Sequence, residues 1–105
     1  MKKITPTPIA KRTGPLWDAL RTVLDPELGY SIVDLGLVYG VKCTNGRLVV
    51  TSTFTSMGCP AGPQIIRMIE EAGDSIPGIT SVRVDVVWEP VWGPDMVNPD
   101  LGLLL

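Results

Sequence analysis

Leu37-Val38-Tyr39-Gly40-Val41-Lys42-Cys43-Thr44-Asn45-Gly46-Arg47-Leu48-Val49-Val50-Thr51-Ser52-Thr53-Phe54 is the stretch that decides the fold. Asn45-Gly46 is the pair favoured by two-residue hairpin turns, whose central positions need positive φ. The flanking runs, 37–43 and 47–54, are rich in β-branched and aromatic residues. With those two residues at the tip, Cys43 faces Leu48, Val41 faces Val50, Tyr39 faces Ser52 and Leu37 faces Phe54. One mostly apolar face results and calls for helices to cover it. Cys43 reads as a strand-end packing residue.

The second strand runs into Thr53-Phe54-Thr55-Ser56-Met57-Gly58-Cys59-Pro60, which reads as strand end, tight turn and helix start. Pro60 suits the first helical position, where a missing N–H costs nothing, so Cys59 takes the N-cap. Gly58 allows the bend before it. The first helical amides and the positive dipole end then lie beside the Cys59 sulfur. That setting favours thiolate, the form that binds soft metals and attacks electrophiles. The other reading of Cys59 is a small, buried, inert residue. A bond to Cys43 is disfavoured. About six paired residues, ~20 Å at strand rise, separate the two strand ends, and a disulfide needs Cα atoms within ~7 Å.

Downstream, Ile65, Met68, Ile69 and Ala72 recur at helical spacing and predict a second helix over 60–72. Gly73 is its C-terminal cap, and Glu70 and Glu71 lie in solvent. Pro77-Gly78 makes a turn into a third strand over 80–88, with Val82, Val84, Val86 and Trp88 on one face. Upstream, Thr13-Gly14-Pro15 opens a helix over 15–24. Leu16, Ala19, Leu20 and Val23 form its stripe, and Trp17 packs under a neighbouring element. Asp25-Pro26-Glu27-Leu28-Gly29 breaks it. Asp34 then falls inside the apolar run Ile32-Val33-Asp34-Leu35-Gly36, where a carboxylate needs partners. Asp34 either caps a turn by accepting backbone amides or acts as a ligand or proton acceptor near Cys59. After the third strand, Trp88, Glu89, Trp92 and Met96 form either a partner-binding rim or the closing edge of the core.

Residues 1–13 read as a flexible leader and 14–97 as one domain. Residues 98–105 read as an apolar tail that packs back on the domain or fills a subunit contact, a homodimer being one outcome. The order helix, strand, strand, helix, strand gives a two-layer α+β domain. Its helices pack on one face of a small mixed, mostly antiparallel sheet. The third strand lies parallel to the second or is separated from it by another strand.

Composition narrows function. The chain has 105 residues, 45% of them hydrophobic, which suits one packed domain. Net charge is −2 without a basic run beyond Lys2-Lys3 and Lys11-Arg12, so nucleic-acid binding is disfavoured. Histidine is absent, which removes His-based triads, dyads and zinc sites. Two cysteines are too few for a disulfide scaffold, and no run reaches the ~18–20 apolar residues of a membrane span. The cytoplasm is the expected compartment, with both thiols reduced.

Four motifs stand in order: Leu24-Asp25-Pro26-Glu27-Leu28-Gly29; Ile32-Val33-Asp34-Leu35-Gly36-Leu37-Val38-Tyr39; Thr53-Phe54-Thr55 with Gly58-Cys59-Pro60; and Val87-Trp88-Glu89-Pro90 with Trp92, Pro94 and Met96. Together they resemble the PaaD/SufT-like family of iron–sulfur cluster assembly factors, over roughly residues 15–97. The resemblance implies a compact α/β domain that matures iron–sulfur proteins. It places the family's functional cysteine on Cys59, its acidic motif on Asp25 and Glu27, and its second acidic position on Asp34. Thr53 and Thr55 match the polar strand end. It implies transient iron or cluster binding with nothing tightly held, and assembly proteins or client apo-proteins as partners. Met57 departs from a proline common at that place, and Asn98-Pro99-Asp100 with a leucine-rich end replaces a charged tail.

Two other functions stand beside this one. A thiol-dependent enzyme would use Cys59 with Asp34 or Glu27, but the lack of histidine and of a CxxC pair argues against it. An adaptor would dock clients through the Trp/Pro/Met loop without metal.

Overall fold

Residues 6–8, 11–55 and 60–98 are described by a computed structural model. Along the chain lie α1 (Pro15–Arg21), β1 (Val38–Thr44), β2 (Arg47–Ser52), α2 (Gly62–Asp74) and β3 (Ser81–Val86), then a single 3-10 turn, Pro94–Met96. This is the expected α+β order. The sheet runs β1-β2-β3, with β2 antiparallel to β1 and parallel to β3. The connection through α2 is therefore a parallel crossover directly beside β2, and the sheet is mixed in equal parts.

The hairpin keeps the register set by Asn45-Gly46 over its outer half, where Cys43 pairs with Leu48 and Val41 with Val50. It then slips. Gly40 pairs with Thr51 but Val38 with Ser52, so Tyr39 is the extra residue of a β-bulge. The expected facing of Tyr39 with Ser52 and Leu37 with Phe54 is corrected: the Thr53 amide donates to the Leu37 carbonyl instead. The bulge buries Val38 and Tyr39 together. Cys43, expected to pack, is exposed. It sits at the turn end of β1, whose last three residues are all exposed.

α1 is shorter than the periodicity suggests. The amides of Thr22 and Val23 bond back three residues, and the Ile32 amide then donates to the Val23 carbonyl. Leu24 bridges Ser31, so the chain leaves the helix to pair with the segment that carries Asp34. Trp17 and Leu20 are buried as predicted.

α2 starts two residues later than predicted. Ala61 is its N-cap and Pro63 occupies the first turn, taking the slot assigned to Pro60. Cys59 is therefore not the N-cap. Gly73 is not a cap either, since the helix continues to Asp74 and ends on Ser75. It is a contact point: a Cβ there would lie 2.7 Å from Val82 Cγ2 and 3.0 Å from Leu48 Cδ2. Ile65 and Ile69 face the sheet and are buried with Leu48, Val50, Ile32 and Leu35 in one core.

The leader is not loose where it is described. The Thr7 amide and hydroxyl both donate to the Tyr39 carbonyl, at 2.8 and 3.0 Å. Arg12 is buried. Residues 1–5, 9 and 10 of the leader and 99–105 of the tail lie outside the described residues. No helix among the described residues is long and apolar enough to cross a membrane.

Candidate functional site

The far end of β2 leads in sequence to the candidate residues Thr53, Thr55 and Cys59. Ser52 and Thr53 are buried there, and the Ser52 hydroxyl donates to the Leu37 carbonyl at 2.8 Å. Phe54 is buried and its ring packs on the start of α2, 3.4 Å from where a Cβ on Gly62 would stand. Phe54 thus meets Gly62, and Thr55 is exposed. Cys59 itself, with Ser56, Met57 and Gly58, lies outside the described residues.

Asp25 is buried, and its Oδ1 accepts the amides of Glu27 and Leu28 at 2.8 and 3.2 Å. This is an Asx turn, closed by the Gly29 amide on the Asp25 carbonyl. The amide-capping role considered for Asp34 is thus filled by Asp25 in its own turn. Glu27 is exposed on the same turn, beside the exposed apolar side chains of Leu24, Leu28 and Tyr30. Asp34 Oδ1 instead lies 3.7 Å from Arg21 Nε and accepts from Asn98 Nδ2 at 3.4 Å. Arg21 also lies near Asp18. Among the described residues, no three His, Cys, Asp or Glu side chains come together as a metal site.

Sequence reasoning missed the residue that joins these parts. The Tyr39 hydroxyl donates to the Pro90 carbonyl at 2.7 Å and lies 3.5 Å from Met96 Sδ, and the Thr53 side chain bonds the same phenol. Trp92 Nε1 donates to the Leu35 carbonyl at 2.8 Å. Trp88 packs against Phe54 with centroids 5.9 Å apart. The segment 88–96 is therefore stitched across the end of the sheet through Trp88, Trp92 and Met96, while Glu89 and Val91 point to solvent. A buried tyrosine needs a partner for its hydroxyl, and that need was the available signal.

Burial raises the Tyr39 pKa above its ordinary 10.0, and the Asp95 charge adds to this, while the Thr53 bond and the Arg12 charge act the other way. A proton held more tightly in the folded state stabilises it fully below the unfolded value, and that contribution is lost as pH rises through the folded one. Stability should therefore fall above pH ~10. Tyr39→Phe should flatten this decline in urea titrations at alkaline pH. Unfolding midpoints with the same pH dependence in both proteins would refute the assignment.

The sequence model of the family described as "Iron-sulfur cluster assembly protein" matches residues 15–86. The chain is 49% identical over 77 residues to the Fe-S protein maturation auxiliary factor SufT of Staphylococcus aureus (strain USA300), covering 72% of this chain and 88% of that one. It is 43% identical over 81 residues to the Fe-S protein maturation auxiliary factor YitW of Bacillus subtilis (strain 168), covering 76% and 79%. The crystal structure of a domain of unknown function from Bacillus anthracis superposes with a TM-score of 0.77 at 38% identity, covering 85% of this chain and 90% of that one. Sequence match, relatives and fold agree: the chain belongs to the PaaD/SufT-like family of iron–sulfur cluster assembly proteins.

Proposed function

We propose that this chain is an iron–sulfur cluster assembly and maturation factor of the cytoplasm. In this reading the Cys59 thiolate is an exchangeable ligand for iron or cluster, which is cargo. The observation that carries the proposal is the start of α2. Cys59 precedes Gly62 by three positions, the N-cap Ala61 gives no side-chain hydrogen bond, and no acidic residue stands in the first turn. The positive end of a thirteen-residue helix is thus left uncompensated by its own first turn. In this reading a cysteine three positions ahead of that helix in sequence gains from the charge as thiolate. One sulfur is fewer than the four that resident clusters use, so a client, a second copy or a small thiol completes the ligand set. Asp25, Glu27 and Asp34 act as supporting acidic residues, and Thr53 and Thr55 as polar supports of the strand end. The names of the SufT and YitW relatives support the general role.

Anaerobic iron–sulfur reconstitution tests it. The wild type should gain visible absorbance and bound iron, Cys59→Ser should lose most of both, and Cys43→Ser should keep them. Equal, negligible uptake by wild type and Cys59→Ser rejects the ligand role. So does unchanged maturation of a client iron–sulfur enzyme in cells carrying Cys59→Ser.

A second reading is docking through residues 88–96, favoured by Val91, which is 77% exposed on that loop. It expects Val91→Asp to lose client binding while Cys59→Ser retains both binding and maturation.

A further inference from the structure

Opposite the helices, the sheet has a face that no described helix covers. β2 turns Leu48, Val50 and Ser52 inward and Arg47, Val49 and Thr51 outward. The pairing lines up outward rows across all three strands. Lys42, Val49 and Arg83 form one row, and Thr44, Arg47 and Ser81 the next. Between them lies a groove of ≈ 330 Å³ lined by Lys42, Thr44, Asn45, Arg47, Val49 and Arg83. It sits at the hairpin end of β2, away from the connection that carries Cys59.

The charge of this groove runs against that of the chain. Net charge is −2, yet three of the nine Lys and Arg residues line it. Asp85 is the one acidic residue in the three strands, and it pairs with Arg83 at 3.0 Å. Lys42 and Arg47 therefore leave the groove positive. Val49 gives it an apolar floor. Rows two residues apart are spaced ~6.6 Å along a strand, and alternate side chains of an extended peptide have the same spacing. Three cations over a short groove are too few for the phosphate tracking that holds nucleic acid.

We propose that the groove lined by Lys42, Arg47 and Arg83 docks an acidic, extended segment of a partner protein, its carboxylates meeting Lys42 and Arg47 and its apolar side chains meeting Val49. The chemistry of Cys59 is not required.

The probe is a fluorescein-labelled peptide of alternating Glu and Val, with its Gln/Val counterpart as control, read by anisotropy. The Glu peptide should bind the full chain, and binding should weaken steeply between low salt and ~0.3 M salt. Lys42→Glu with Arg47→Glu should lower affinity at least about tenfold, a loss of ~1.4 kcal/mol. Arg67→Glu, exposed on α2, should leave it unchanged, and so should Cys59→Ser, which separates this site from the cargo reading. Circular dichroism checks that each variant is folded. If the reversals impair folding, Lys42→Gln with Arg47→Gln should still weaken binding. Equal binding of the Gln peptide, or undiminished binding by the groove variants, overturns the proposal. So does displacement by pyrophosphate at lower concentration than by unlabelled Glu peptide, or tighter binding of an RNA oligomer.

Discussion

Gly36→Ala is expected to destabilise the domain by about 2–5 kcal/mol, the sum of a left-handed backbone penalty and an overpacked contact. Gly36 has φ 80°, a conformation that side chains resist. A Cβ there would also overlap the Met96 carbonyl oxygen and stand 2.9 Å from Met96 C and Cβ. The first obstacle is backbone, so no rotamer change relieves it. Asn98 is bonded to the Asp34 carbonyl at 2.7 Å, which holds 96–98 against the 31–36 turn. The alanine must therefore push the C-terminal segment off the core or distort the turn that presents Asp34. Each kcal/mol moves Tm by ~4–8 °C in a domain near this size, so the melting temperature should drop by at least ~8 °C. Gly29→Ala is the matched control. Gly29 has φ 76°, but nothing lies within 4 Å of its Cβ position, so only the backbone penalty of ~1–2 kcal/mol applies there. Thermal unfolding of both variants separates clash from strain. Equal losses in the two would show that the Met96 contact contributes nothing.

The contrast between the two glycines shows what a linear reading can reach. Proline, aspartate and glycine announce the turn at Gly29, while Gly36 ends an apolar run, and only three-dimensional packing sets Met96 against it. The hairpin was legible because Asn45-Gly46 fixes register locally. Its slip at Tyr39 was not, because a bulge depends on what the displaced side chain finds, here the Pro90 carbonyl and Met96 sulfur far along the chain. The start of α2 was misplaced for a related reason. Pro60 and Pro63 both satisfy the first-turn rule, and packing of Phe54 on Gly62 accompanies the later start. At the site, Asp25, Glu27 and Asp34 could be picked out as candidates, yet nothing local says that Asp25 turns into its own loop while Asp34 meets Arg21. Carboxylates in turns have many partners within reach, and the chain order does not rank them.

Arg12→Met should destabilise the protein by about 2–4 kcal/mol: two hydrogen bonds from a charged donor are lost, about 1.5–3 kcal/mol each, and removing a buried charge offsets part of that. Sequence placed this residue in a loose leader. In the structure its guanidinium is buried, donating from Nε to the Thr7 carbonyl at 2.9 Å and from Nη1 to the Val33 carbonyl at 3.1 Å. It lies 6.0 Å from the Trp17 ring centroid, and its own carbonyl accepts from Arg21 Nη2 at 3.0 Å. Burial lowers its pKa above all, Arg21 adds to this, and Asp34 opposes it. Methionine keeps much of the volume but leaves two carbonyls without their donor, one of them on the turn that carries Asp34. Arg12→Lys should recover only part of the loss, because an ammonium lacks the fork that spans both acceptors. Exposed Lys11→Met is the control and should stay within ~0.5 kcal/mol of wild type. The second readout is amide exchange at Thr7, whose N–H bonds the Tyr39 carbonyl. That amide should lose protection in Arg12→Met and keep it in Lys11→Met. Unchanged stability and unchanged Thr7 protection in Arg12→Met would mean that the leader is held by something other than this guanidinium.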